Sequence, residues 1–196
     1  MKETRTIKIE VPVGKKDEWQ KVNGKTVLVM VDEKDRRPVT ERIKTFEDAC
    51  RELGEDHHLV EQYRNIEEKI YFASDSLDIF AYLKLRIIVA ALNEGWKPQF
   101  TEDEWRWYPW FLLWTEEELS EKSDEWKADR HLIPTGDYSE DFAGFAFACS
   151  DNAPSGTNAP VGYRLCFKSE ALATYCGKQF ISLWADFNLI RKQNNE

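Results

Sequence analysis

The chain has 196 residues, of which 42% are apolar and 13% aromatic, and its formal net charge is −9. This composition excludes an intrinsically disordered chain and predicts one globular domain, residues 1–196, that can bury a core without disulfides or a structural metal. The acids are concentrated, since residues 101–129 hold ten Asp and Glu against three Lys and Arg. Because such a surface repels a phosphate backbone, we do not expect a nucleic-acid partner.

Sequence signals for export and membrane insertion are also missing. Residues 1–16 lack the apolar core of a signal peptide, and the longest strongly apolar run, 85–92, is too short to span a bilayer. The four cysteines show no CxxC spacing, which favours reduced and mostly buried thiols. We therefore expect a soluble, cytoplasmic protein with no membrane association.

The N-terminal part has the pattern of a β-hairpin. Apolar and charged residues alternate over 4–13, which predicts a strand. Asn23-Gly24 is a strong turn signal before the apolar run 26–31, so residues 4–31 could form a hairpin with a long, charged connection. The polar residues 32–38 then mark a plausible boundary, between an N-terminal β-module (1–38) and a main body (39–196).

Helices are predicted for the middle of the chain. Thr45 and Asp48 have the spacing of a capping box and begin a helix that ends before Gly54. A second helix is predicted over about 58–72 from its apolar residues at helical spacing. A third, at about 76–94, is apolar over too much of its circumference for a surface helix. We interpret it as the central buried helix.

Five of the eight tryptophans lie between Trp96 and Trp114. Two further capping-box patterns, at Thr101 and at Thr115, predict two short helices or helical turns here. Four aromatic rings recur at helical steps and would share one face of a helix, and two other rings would lie outside that face. The rings on the face are Trp107, Trp110, Phe111 and Trp114, and those off it are Trp105 and Tyr108. The cluster could fill the core or present a surface to a protein or carbohydrate.

The C-terminal part has a second hairpin pattern. Residues 145–149 and 161–167 alternate like strands around a Ser/Asn-rich loop at 150–160, and Ser169 caps a final helix at about 169–190. The sequence therefore predicts an α+β fold. Antiparallel hairpins near both ends would join in one sheet and pack on a helical centre that contains the buried helix.

No catalytic motif accompanies the tryptophans. Acids beside them, at 102–104, leave open a carbohydrate-active hydrolase as the alternative function. His57 and His58 have too few converging partners for a metal site, so we predict no metal and no cofactor. The candidate binding residues are Trp105, Trp107, Tyr108 and Trp110, together with Asn152, Ser155 and Asn158 of the loop.

Several blocks of the sequence resemble a group of uncharacterised proteins that recur in phage and prophage regions of gut bacteria. The blocks are ERIKTFEDACRELG (41–54), AYLKLRIIVAALNEGWKPQF (81–100), WRWYPWF (105–111) and GYRLCFKSEALATYCGKQF (162–180). The resemblance covers about residues 40–190, and a weaker one links 152–167 to C-type-lectin-like display domains. It implies a mobile element or a virus, hence a protein in the cytoplasm or on the virion. We expect a non-enzymatic binding protein with a protein partner and leave its oligomeric state open.

Overall fold

The computed structural model describes residues 8–22, 24–32, 35, 37–67, 77–99, 101, 103–154 and 163–192. Within them the chain forms both helices and antiparallel sheets, which confirms the predicted α+β class. Two compact units are present, Met1–Arg37 and Pro38–Glu196. The sheet of each unit is separate, so the prediction of one shared sheet is wrong.

The N-terminal unit contains an antiparallel hairpin of β1 (Lys15–Val22) and β2 (Lys25–Asp32). The predicted turn position is confirmed, because Val22 pairs with Lys25 across a two-residue connection in which Gly24 has a φ of 76°. The first strand is not at 4–13 as predicted: residues 8–13 are outside any strand, and 4–7 lie outside the described residues. A two-residue turn pairs its immediate neighbours, so the charged segment before it becomes the strand.

Four helices follow: α1 (Val39–Arg42), α2 (Phe46–Leu53), α3 (His58–Glu67) and α4 (Leu77–Leu92). The capping box of α2 is confirmed, since the Thr45 N–H donates to the Asp48 carboxylate at 2.8 Å and the Asp48 N–H donates to Thr45 Oγ1 at 3.2 Å. The predicted end of the second helix, residues 68–72, lies outside the described residues.

Helix α4 is the buried helix that the sequence predicts. It packs against α2 and α3, and its fully buried side chains belong to the main core. Gly95, at a φ of 85°, follows its last turn as a helix-terminating glycine should. The side chains of α4 that are completely buried are Leu85, Ile87, Ile88 and Leu92.

The tryptophan segment is a strand, so the prediction of helical turns there is wrong. Strand β3 (Trp105–Trp114) pairs with β5 (Gly144–Pro154), which also pairs with the short β4 (Ile133–Pro134). The sheet order is β3-β5-β4. Nearly every residue of β3 is apolar, so ring spacing alone could not distinguish a helix from a strand. Pro109 fits an edge strand and would interrupt a helix.

Two short helices, α5 (Glu116–Ser120) and α6 (Asp124–Asp129), follow β3. The Thr115 capping box is confirmed at the start of α5. No helix begins at Thr101, where the sequence predicts one, and the Glu104 carboxylate instead accepts a hydrogen bond from the Gln99 N–H at 2.6 Å.

The predicted C-terminal hairpin is also wrong. Strand β5 pairs with β3 and β4, residues Tyr163–Leu165 form a 3₁₀ turn, and Phe167 makes an isolated antiparallel bridge with Trp107. Such long-range pairing leaves no local pattern in the sequence. The final helix, capped by Ser169 as predicted, divides at Phe180 into α7 (Glu170–Gln179) and α8 (Ile181–Asn188).

Helix α7 lies directly on one face of the β3-β5-β4 sheet. Gly177 permits this close approach, since a Cβ there would lie 2.7 Å from Pro109 and 2.8 Å from the Phe147 ring. Helix α8 packs on α4 and buries Trp184. The order of layers is therefore the sheet, then α7 and α8, then α4. The opposite face of the sheet is left to be covered by other elements.

Candidate binding face

Alternation along β3 divides the tryptophan segment between two faces of the sheet. The inner face turns toward α7 and α8: the Phe111 ring stacks on Phe145 at 4.9 Å and lies 5.5 Å from Trp184. The outer face carries the intervening residues of the strand. We define the outer face of β3 as Arg106, Tyr108, Trp110, Leu112 and Trp114.

A bulge in β5 changes which residues lie opposite the outer face. Trp110 pairs with Cys149, whereas the next residue, Phe111, pairs with Phe147, so Ala148 is the extra residue. Simple alternation would place Cys149 on the same inner face as Phe147. The bulge instead turns the Cys149 side chain outward, where it is exposed.

The centre of the outer face is exposed to solvent. Trp110 is 43% and Leu112 is 50% exposed, and Cys149 lies beside Trp110 on β5. We call these three residues the outer patch. Tyr108 borders the patch with its ring 6.2 Å from that of Trp110, but it is itself buried. Burial, together with the charge of Asp151, raises the pKa of Tyr108.

An aromatic and cationic cluster closes the other end of the outer face. The Trp114 ring meets Trp126 of α6 edge to face at 5.1 Å. Lys122 Nζ lies 5.1 Å from the Trp114 ring centroid and 5.6 Å from that of Trp126, so its charge is held against both π-systems. Helix α6 therefore contacts the outer face of β3 at Trp114, two residues beyond Leu112.

The helices on this border are strongly acidic. Their exposed carboxylates face solvent and outnumber the bases of the same segment, one of which, Lys122, is held over the two indole rings. The patch is consequently apolar at its centre and negative along one side. The exposed acids of this segment are Glu116, Glu117, Glu118, Glu121, Asp124, Glu125 and Asp129.

The predicted binding residues that the structure describes are not gathered into one site. Tyr108 and Trp110 share the outer face, whereas Trp107 is half-buried on the inner face. Trp105 is 56% exposed at the start of β3, and Asn152 pairs with Trp107 on β5. The remaining two predictions, Ser155 and Asn158, lie outside the described residues.

Two residues of the outer patch were missed by the sequence interpretation. Leu112 could have been found by reading the segment with a two-residue period, which places it with Trp110 on one face. Cys149 could not, because the bulge that turns it outward depends on contacts made elsewhere in the chain.

The acids proposed for a hydrolase have a structural setting at Glu104. Its carboxylate accepts the Gln99 N–H and lies 3.4 Å from Arg106 Nε, while Arg106 donates to the Gln99 carbonyl at 2.8 Å. Arg106 is buried, so this pair fixes the entry into β3. Asp103 is exposed, and Glu102 lies outside the described residues.

His57 and a depression along α7 also have contacts that belong to the fold. Leu59 N–H donates to His57 Nδ1 at 3.3 Å, and the described residues hold no group of three or more ligands suited to a metal. A depression of about 590 Å³ lies along α7. Its polar walls are engaged in the fold: Tyr175 donates to the Ile43 carbonyl, and Lys178 pairs with Asp129 at 2.9 Å.

No helix in the described part of the chain has the length and apolar character needed to cross a membrane. Comparison of the chain with models of protein families, with curated proteins and with solved structures finds no match. The arrangement of residues on the outer face is therefore the basis for inferring a function.

Proposed function

We propose that this protein is a non-enzymatic, phage- or prophage-type protein that binds a partner protein through the outer patch. The observation that carries the proposal is the exposure of Trp110 and Leu112 side by side on one strand. Large apolar side chains that remain solvent-accessible next to each other are typical of interaction sites. From the resemblance to proteins of phage and prophage regions, we propose that the protein acts in the host cytoplasm or on the virion.

The patch is suited to binding because its backbone is already ordered. Trp110 lies in the β3–β5 ladder, and its neighbour across the ladder, Cys149, is placed by the bulge. Binding therefore costs little backbone ordering, and burial of an indole ring supplies much of the affinity at protein interfaces. Tyr108 and Trp114 support the patch from either side.

The chemistry of the patch favours a protein over a carbohydrate. A sugar needs hydrogen-bonding groups beside an aromatic platform. The residues beside Trp110 are instead Leu112 and Cys149, which offer an aliphatic side chain and a thiol. The acidic border on α5 and α6 suits a partner that surrounds its apolar residues with Lys and Arg. The partner we propose is thus a protein with an apolar centre and a basic rim.

The proposal is tested by comparing three tagged full-length proteins in quantitative affinity purification from host cells. These are the wild type, the double variant Trp110→Ser/Leu112→Ser, and the control Trp105→Ser, which removes an exposed indole outside the patch. We expect a defined protein to be recovered by the wild type and the control and lost with the double variant. Equal recovery by all three, or loss with Trp105→Ser alone, would contradict the proposal. Near-ultraviolet circular dichroism establishes that each variant is folded.

A further inference from the structure

The two strands of the N-terminal hairpin differ sharply in composition. Five of the eight residues of β1 are charged, whereas the segment of β2 between Lys25 and Asp32 consists of Thr26 and five consecutive apolar residues. An apolar side chain therefore lies on both faces of β2: Val27 and Val29 on one, Leu28 and Met30 on the other. A strand that is apolar on both faces is typical of the interior of a sheet that is covered on both faces.

Two large apolar side chains of the hairpin are exposed to water. Trp19, which pairs with Leu28, is 67% exposed, and Met30 is 39% exposed. A two-stranded hairpin on its own is only marginally stable in water. A third strand paired with such a hairpin would add to its stability.

The turn determines which backbone groups of β2 are available. Because Val22 and Lys25 flank a two-residue turn, they form a hydrogen-bonded pair, and so do Gln20 and Val27. The N–H and C=O groups of Thr26, Leu28 and Met30 then point away from β1. In β1, the backbone groups of Lys15 likewise point away from the partner strand. The Lys15 N–H donates to the Pro12 carbonyl, outside the β1–β2 ladder, at 3.0 Å.

The outer edge of β2 lacks the usual protection of an edge strand. Within the described residues the β1-β2 sheet has two strands, so this edge has no neighbouring strand there. Charges, prolines and bulges normally discourage pairing at such edges. The β1 edge has charged residues, but residues 26–31 of β2 have none of these features.

We propose that two copies of this chain pair through their β2 strands, antiparallel, to form a homodimer with a four-stranded β1-β2-β2-β1 sheet. Charge complementarity favours a second copy in this orientation. The uncharged segment begins after a base, Lys25, and ends before an acid, Asp32. An antiparallel copy brings the basic end of one strand to the acidic end of the other at both ends, whereas a parallel copy would bring like charges together.

The test uses sedimentation velocity and light scattering of the full chain over a range of concentrations. Met30→Pro removes an outward N–H from the β2 edge, and its cross-strand partner supplies the matched control: Asp17→Pro removes an outward N–H from the β1 edge. Neither change removes a β1–β2 hydrogen bond. We expect a dimer for the wild type and for Asp17→Pro, and a dissociation constant raised roughly tenfold or more by Met30→Pro.

A second variant, Met30→Lys, places a charge on the same edge without the constraint of proline and should weaken the dimer similarly. Circular dichroism establishes that the unit Pro38–Glu196 stays folded in each variant. A wild type that is monomeric at every concentration overturns the proposal. It is equally overturned by a dimer that both Met30 variants leave intact, or by one that Asp17→Pro dissociates to the same extent.

Discussion

The guanidinium of Arg130 donates a hydrogen bond to the carbonyl of Ala148, the extra residue of the bulge in β5. The Phe147 N–H in turn donates to the Arg130 carbonyl at 3.0 Å. Arg130, the C-cap residue of α6, thus holds the bulge through both its side chain and its backbone carbonyl. Because the bulge turns Cys149 outward, these two contacts also determine the composition of the outer patch.

Replacing Arg130 with Met should destabilise the protein. The change keeps the aliphatic stem but leaves the Ala148 carbonyl without its charged donor, and such a loss typically costs about 1–3 kcal/mol. The free energy of unfolding, measured in urea, is the readout. Lys127→Met removes a charge from α6 away from the bulge and is the control. Equal stability of the two variants would show that the contact with Ala148 does not hold the bulge.

The four cysteines should differ clearly in reactivity. Cys149 is exposed, and the other three are buried. Burial raises the pKa of Cys50 and Cys166 to about 11 and that of Cys176 to about 12, which keeps these thiols in the unreactive protonated form.

We therefore expect the native protein to release one equivalent of thionitrobenzoate from Ellman's reagent rapidly at pH 8. The denatured protein should release four. Cys149→Ser should abolish the rapid phase. Two rapid equivalents in the wild type, or a rapid phase that survives in Cys149→Ser, would show that Cys149 is not the sole accessible thiol and would contradict the bulge register.

Local features of this fold could be predicted from the sequence, and non-local ones could not. The Thr45 and Thr115 caps depend on hydrogen bonds three residues apart, and α4 is apolar over most of its circumference, so both leave clear patterns. The pairing of β3 with β5 joins segments far apart in the chain. A β3 sequence that is apolar at nearly every position gives no period to reveal it.

The candidate site also combines features that the local sequence predicts with features that depend on distant residues. Of the candidate binding residues predicted in the tryptophan segment, Tyr108 and Trp110 share one face of β3, but Tyr108 is buried. The position of Cys149 depends on Arg130, which approaches from another element. No pattern within residues 145–149 could encode that contact.

Two of the three threonines that have capping-box spacing in the sequence, Thr45 and Thr101, should respond differently to alanine. Thr45→Ala removes a cap that α2 uses and should cost about 1 kcal/mol. Thr101→Ala should leave stability unchanged, because no helix begins there. Chemical denaturation of both variants provides the measurement, and comparable losses would contradict the capping assignment.

Thr45→Ala should also change the titration of the Asp48 carboxyl group at acid pH. The hydrogen bond from the Thr45 side chain, followed by that from the Lys44 N–H, lowers the pKa of Asp48 from 3.8 to about 2. A lowered native pKa adds stability that is present above pH 3.8 and is lost as the pH falls toward 2. In Thr45→Ala the pKa of Asp48, followed by NMR of its carboxyl carbon, should rise toward 3.8. An unchanged pKa of Asp48 would show that the hydrogen bond from Thr45 is not the main cause of its lowered value.

Alkaline pH should destabilise the protein partly through Cys176. Its thiol is completely buried on α7, and this burial raises its pKa from 9.0 to about 12. Above pH 9 the unfolded chain releases the proton while the native state retains it. The free energy of unfolding therefore falls as the pH rises, by about 1.4 kcal/mol per pH unit for such a group.

Cys176→Ala isolates this contribution, because every other titrating group is common to both proteins. The variant loses buried volume at all pH values, so its deficit in unfolding free energy should be constant between pH 6 and pH 8. Between pH 8 and pH 10.5 the deficit should shrink by roughly 1–2 kcal/mol, since only the wild type loses the contribution of this thiol. Urea unfolding at each pH gives the measurement. A deficit that stays constant up to pH 10.5 would show that the Cys176 thiolate forms as readily in the native core as in the unfolded chain.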